Sequence, residues 1–171
     1  MRAQWSARGL AFVRLEWALA MLILLLGACG AEPLPEAEAE GCEHAQEGPF
    51  IDVEATTAPD LAPAVEAGHR AWRITLPEGA AGFLRLDVPQ AGDYHFFLSA
   101  AVEMEIYDDH EALVAIEETR PVDACEALAV DHIVPLSVGR HRIRVGPDSD
   151  GGPVTLVIEA AGEAQGHDHG H

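Results

Sequence analysis

The sequence predicts an all-β fold, an antiparallel β-sandwich of the jelly-roll kind with about eight strands. Two observations predict it. From Phe50 onward, apolar residues recur at every second position, the period of a half-buried strand. Between those runs stand short clusters of Gly, Pro and Asp, which break a strand and turn the chain.

The elements follow in order. Ile51, Val53 and Ala55 alternate with Asp52 and Glu54. Trp72, Ile74 and Leu76 alternate with Arg73 and Thr75, and Leu84, Leu86 and Val88 with Arg85 and Asp87. Tyr94, Phe96 and Leu98 make the next set, followed by Val102, Met104 and Ile106 around Glu103 and Glu105. A short apolar run spans 113–116, and another spans 133–138. His141, Ile143 and Val145 lie between three arginines, and Val154, Leu156 and Ile158 close the series. Turn signals stand at Pro77-Glu78-Gly79, at 89–93, at Asp108-Asp109, at Val138-Gly139 and across 146–153. Alternation with polar partners is the mark of antiparallel strands with one face in water. The only helical candidate in the body is 122–129, around Cys125.

The N-terminus reads as an export signal. Arg2, Arg8 and Arg14 precede an apolar stretch over 17–26, and small residues follow. The uncharged run between Glu16 and Glu32 falls short of the roughly 20 residues a spanning helix needs. Leu26-Gly27-Ala28-Cys29 resembles the lipobox of bacterial lipoproteins. The resemblance implies diacylglycerol on Cys29, cleavage before it, and acylation of the new N-terminus. Two or more acyl chains anchor stably, because each buried methylene adds about 0.8 kcal/mol. Gly30, not the Asp that favours inner-membrane retention, follows the cysteine, which leans towards the outer membrane.

The chain therefore divides into a signal peptide over 1–28, a lipidated cysteine with a flexible linker over 29–41, a sandwich domain over 42–160, and a His-rich disordered tail over 161–171. The Pro- and Glu-rich linker would hold the domain about 35 Å from the lipid if extended. Removing the leader, with its three arginines and one glutamate, takes the formal charge from −19 to −21. There is no lysine. So acidic a body repels phosphate backbones, which excludes nucleic acid as a partner, and it attracts cations.

With Cys29 carrying lipid, Cys42 and Cys125 remain. In an oxidising compartment such a pair reads as one disulfide, with a long loop closed. The rival use of Cys42 is a metal pair with His44, which is half a zinc site at best.

Residues 81–98, with the turn Ala91-Gly92-Asp93-Tyr94, then 102–108 and 136–145, with Gly139, His141 and Val145, resemble the bacterial pre-peptidase C-terminal β-sandwich domain. The resemblance covers about residues 70–160. His141 stands where that family has an aromatic, and the segment around Cys125 is an insertion. It implies a non-catalytic binding or accessory module and carries over no active residue. The chain is also similar to small lipoproteins of myxobacteria-like bacteria that open their domain with Cys-Glu-His, here Cys42-Glu43-His44, and close with a His-rich tail. No activity attaches to them.

The chemistry concentrates at Gly166-His167-Asp168-His169-Gly170-His171. In an extended chain His167, His169 and His171 share one side, and Gly170 lets the backbone fold round an ion. Neutral imidazole favours Zn2+ and related transition metals, and Asp168 or water can complete four-coordination. The tract looks like the runs in metal-transporter loops and metal-binding periplasmic proteins. Elsewhere, Tyr107-Asp108-Asp109-His110-Glu111 reads as a turn, His141 as an inward core residue, and Asp148-Ser149-Asp150-Gly151 as a strand connection. No nucleophile elbow, zinc-protease helix motif or phosphate loop is present in the sequence, so an enzyme is not expected.

The expectation is a membrane-anchored lipoprotein of the cell envelope. It binds zinc or a similar metal through His167, Asp168, His169 and His171, with a metal transporter or another envelope protein as partner. The alternative is an interaction module that binds a protein or glycan through the sandwich.

Overall fold

A computed structural model describes residues 36–147 and 152–161. The described residues begin with helix α1 (Glu36–Glu47). Strands follow: β1 (Phe50–Glu54), β2 (Ala64–Val65), β3 (Ala71–Thr75), β4 (Gly82–Val88), β5 (Gly92–Leu98) and β6 (Met104–Tyr107). Then come β7 (Leu113–Val114), β8 (Glu118–Pro121), β9 (Val130–Leu136), β10 (Gly139–Val145) and β11 (Val154–Ala160). A six-stranded sheet has the order β1-β3-β11-β5-β9-β8, and a five-stranded sheet the order β2-β4-β10-β6-β7.

The fold is a β-sandwich, and its core is where the alternation pointed. Trp72, Ile74, Phe96, Leu98, Leu156 and Ile158 from the larger sheet pack with Leu84, Leu86, Ile106, Ile143 and Val145 from the smaller. Each fully buried aliphatic or aromatic side chain contributes about 1.5–3 kcal/mol by leaving water. His141 is 2 % exposed among them. Its Nδ1 lies 3.3 Å from the Gly139 carbonyl. The Ala91-Gly92-Asp93-Tyr94 turn leads into β5, and the Tyr94 hydroxyl donates back to the Gln90 carbonyl at 2.9 Å.

Three expectations are corrected. The strands are mixed rather than all antiparallel, because β1 pairs with β3, and β2 with β4, in parallel. A parallel neighbour needs a crossover. Residues 55–70 provide it: they pass to the smaller sheet, contribute β2 and return to β3. The very short β2 and the polar β8 carry no alternation long enough to read, so the described residues hold eleven strands where about eight were expected.

Secondly, 122–129 is not a helix but a loop, closed by the Val122 amide donating to the Ala129 carbonyl at 3.2 Å. Val122 and Leu128 are both buried against Phe97, which fixes the segment as cover for the sheet.

Thirdly, the segment read as linker is helical from Glu36. Glu and Ala dominate its first turns, both strong helix formers, and Glu36 and Glu38 complement the positive N-terminal end of the helix dipole. A helix this short is marginal alone. Here Ala37, Gly41, Cys42 and Ala45 form a small-residue face that packs with Ala71, Phe97 and Val157, on the side of the six-stranded sheet away from the core. Gly48, with φ of 80°, ends the helix by donating its amide to the His44 carbonyl at 2.9 Å.

Candidate functional site

Ionisable groups gather under and beside α1. By the period of two, β11 and β5 turn Glu159 and His95 away from the core that holds Ile158 and Phe96. The two are direct cross-strand partners. Side chains on such a face normally reach water, but Glu159 is 5 % exposed and His95 8 %.

Helix α1 brings His44 to Glu159. The His44 Nδ1 lies 3.3 Å from the Gly48 carbonyl. A carbonyl only accepts, so Nδ1 carries the hydrogen. That leaves Nε2 facing Glu159 Oε1 at 3.7 Å and His69 Nδ1 at 3.4 Å. The two imidazole rings meet edge to face, with centroids 5.4 Å apart. His69 comes from the loop before β3, which the Gly68 amide ties to the Ile158 carbonyl at 2.7 Å. Its φ of 20° is uncommon outside glycine, and histidine is among the residues that tolerate the left-handed side of the map.

Glu159 Oε1 accepts no hydrogen bond. Burial, and then the negative charge of Glu40, push its pKa up from 4.5 to about 7. A cleft of about 800 Å3 borders Glu40, His69 and Glu159, so this corner is reached from solvent. Among the described residues no three His, Cys, Asp or Glu side chains already stand in coordinating geometry. His44 makes both close approaches, to His69 at 3.4 Å and to Glu159 at 3.7 Å.

A second group ties strands together. His95 Nδ1 donates to Asp131 Oδ2 at 2.9 Å, and Arg120 donates to the same oxygen from Nε at 3.0 Å, with Nη2 in ion-pair contact at 2.9 Å. Asp131 is fully buried. His95 also stacks on Phe97, with centroids 5.6 Å apart. These contacts join β5, β8 and β9 and make a structural ion pair.

The residues singled out from sequence fare as follows. Cys42 and Cys125 are joined in a disulfide, which removes Cys42 from any metal pair with His44. Asp108 Oδ1 accepts the amides of His110 at 2.9 Å and Ala112 at 2.8 Å, so the acidic cluster there is a turn. The Ala112 amide is the larger cause holding the Asp108 carboxyl below its usual range. Cys29, residues 1–28, Asp148 to Gly151 and the tail with His167, Asp168, His169 and His171 lie outside the described residues.

The grouping of His44, His69 and Glu159 is not among the sites expected from the sequence. A signal was there: Ala71, Phe97 and Val157 are apolar at outward positions of three adjacent strands. An apolar outer face announces a cover, and polar groups beneath a cover need partners. Among the described residues no helix is long and apolar enough to cross a membrane. No protein-family model matches the chain, and no curated protein matches it in sequence.

Proposed function

We propose that the protein is an envelope lipoprotein, anchored through lipid on Cys29 at the outer membrane, that binds zinc or a related transition metal through His167, Asp168, His169 and His171. The observation that carries this reading is the Cys42–Cys125 disulfide. Such a bond belongs to a chain exported to an oxidising compartment, and it leaves Cys29 as the one cysteine free to take lipid.

Anchor and tail stand at opposite ends of the folded domain in the sequence. Cys29 fixes one end at the bilayer, and the histidines follow the last strand. The formal charge of −19 favours cations over anionic ligands near the domain. The sandwich serves as the non-catalytic body, in keeping with its likeness to the pre-peptidase C-terminal module, and an envelope metal transporter is the partner that would take the ion.

Three experiments test the reading. Cys29→Ala should move the protein from the membrane to the soluble fraction. A zinc titration of the full chain should weaken when His167, His169 and His171 are all changed to alanine. Equal binding by both forms removes the tail from the account, and expression indifferent to both zinc starvation and zinc excess removes the physiological role.

A further inference from the structure

We propose that His44, His69 and Glu159 form a second transition-metal site, within the folded domain. The ligand is a divalent ion of the zinc class. Its biological sense rests on the metal reading above, but its chemistry is independent of the tail.

The distances fit. Ligands bonded to tetrahedral zinc at about 2.0–2.1 Å stand about 3.3–3.4 Å from one another. His44 Nε2 and His69 Nδ1 are 3.4 Å apart. Glu159 Oε1 is 3.7 Å from His44 Nε2, so a shift of a few tenths of an ångström brings it to ligand spacing. A glutamate side chain makes that shift by rotation.

The orientation fits as well. A ligating imidazole normally donates its other nitrogen to a carbonyl or carboxylate, which fixes the tautomer and aims the lone pair. The Gly48 carbonyl does this for His44. The Gly68 amide, bonded to Ile158, holds the loop of His69 next to β11.

The third argument is electrostatic. Glu159 is a buried carboxyl with an oxygen that accepts no hydrogen bond. A buried charge is costly unless it is paired or coordinates a metal. Glu40, four residues before His44 on the same side of α1, borders the same cleft and adds negative charge rather than relieving it. A divalent ion held by the two imidazoles and Glu159 offsets the carboxylate charge and gives its unpaired oxygen a partner. The cleft gives it a route from solvent.

The site also sits where the tail begins. Glu159 lies near the end of β11, two residues before Ala161. His167 is six residues further on, within about 20 Å along an extended chain. An ion collected by the tail has a second set of ligands within reach.

The test uses the full chain with His167, His169 and His171 changed to alanine, so that tail binding is silent. Titrated with Zn2+, this form should bind one ion per chain, and its melting temperature should rise with zinc concentration. With Co2+ it should show the absorption of a tetrahedral site. His69→Ala and Glu159→Gln, each added to that background, should weaken zinc binding by more than about tenfold. Glu159→Gln is the sharper variant: without metal it should be as stable as its parent or more so, and it should still lose the ion. No zinc bound by the tail-substituted chain, or undiminished binding by both variants, overturns the proposal. If wild type and the tail-substituted chain bind zinc alike, the tail reading fails while this site stands.

Discussion

The Cα atoms of Cys42 and Cys125 stand 6.0 Å apart although 83 residues separate them in sequence. One cysteine is on α1 and the other in the loop after β8, and Phe97 lies in the same buried cluster as both. The bridge therefore clamps the helix and the loop over one face of the six-stranded sheet. By loop entropy it should add about 4–5 kcal/mol. Urea unfolding with and without reductant should differ by roughly that amount, and intrinsic fluorescence should report a loosened α1. Equal midpoints would show that packing alone holds the helix.

Gly41 should resist improvement. In an exposed helix Gly→Ala stabilises by up to about 1 kcal/mol. At Gly41 an added Cβ would lie 2.7 Å from ring carbons of Phe97, which is fully buried and has little room to move. Gly41→Ala should therefore cost a net 1–2 kcal/mol or about that, as overpacking does. A higher melting temperature for this variant would mean that α1 sits further from the sheet.

The Asp131 carboxylate should be the most costly single charge to remove. It accepts from His95 and from the Arg120 Nε, with Nη2 in ion-pair contact, while fully buried. Asp131→Ala strands the Arg120 guanidinium and removes the His95 partner, and it should destabilise by about 3–5 kcal/mol. Adding Arg120→Ala should recover part of that loss, which a double-mutant cycle in urea would measure. Strict additivity would show that the two side chains act separately.

Glu159 sets a pH dependence for the metal-free chain. Its carboxyl stays protonated up to about pH 7 in the fold, against an ordinary value of 4.5. Between those values the folded chain holds a proton that the unfolded chain has lost, so stability falls as pH rises through the window and stays low above it. The full difference is on the order of 3 kcal/mol. Glu40, His44 and His95 are the groups around it. Glu159→Gln should flatten this slope in unfolding curves taken from pH 4.5 to 7.5, and an unchanged slope would assign it to another group.

His132 adds an opposite, acid-side slope. Burial lowers its pKa, and the Asp131 charge offsets this in part. Protonation then favours the unfolded chain as pH falls below the ordinary histidine value, which His132→Gln should relieve.

The core was legible because the strand period is two. Leu84, Leu86, Ile143, Val145, Leu156 and Ile158 could be placed inward from their alternation alone. The disulfide was legible from the count of cysteines. Glu159 and His95 were not, because alternation assigns them to a water-facing side and cannot say that α1 covers it. The helix itself hid in a Glu- and Pro-rich stretch whose only tertiary signal is a row of small residues, Ala37, Gly41 and Ala45. His44, His69 and Glu159 lie on three separate elements, so only the fold brings them together.

Equilibrium zinc binding by the untagged full chain at neutral pH tests the account most directly. The account predicts two ions per chain: one lost when His167, His169 and His171 become alanine, the other lost when Glu159 becomes glutamine. A chain that takes up no zinc at micromolar concentrations would contradict it.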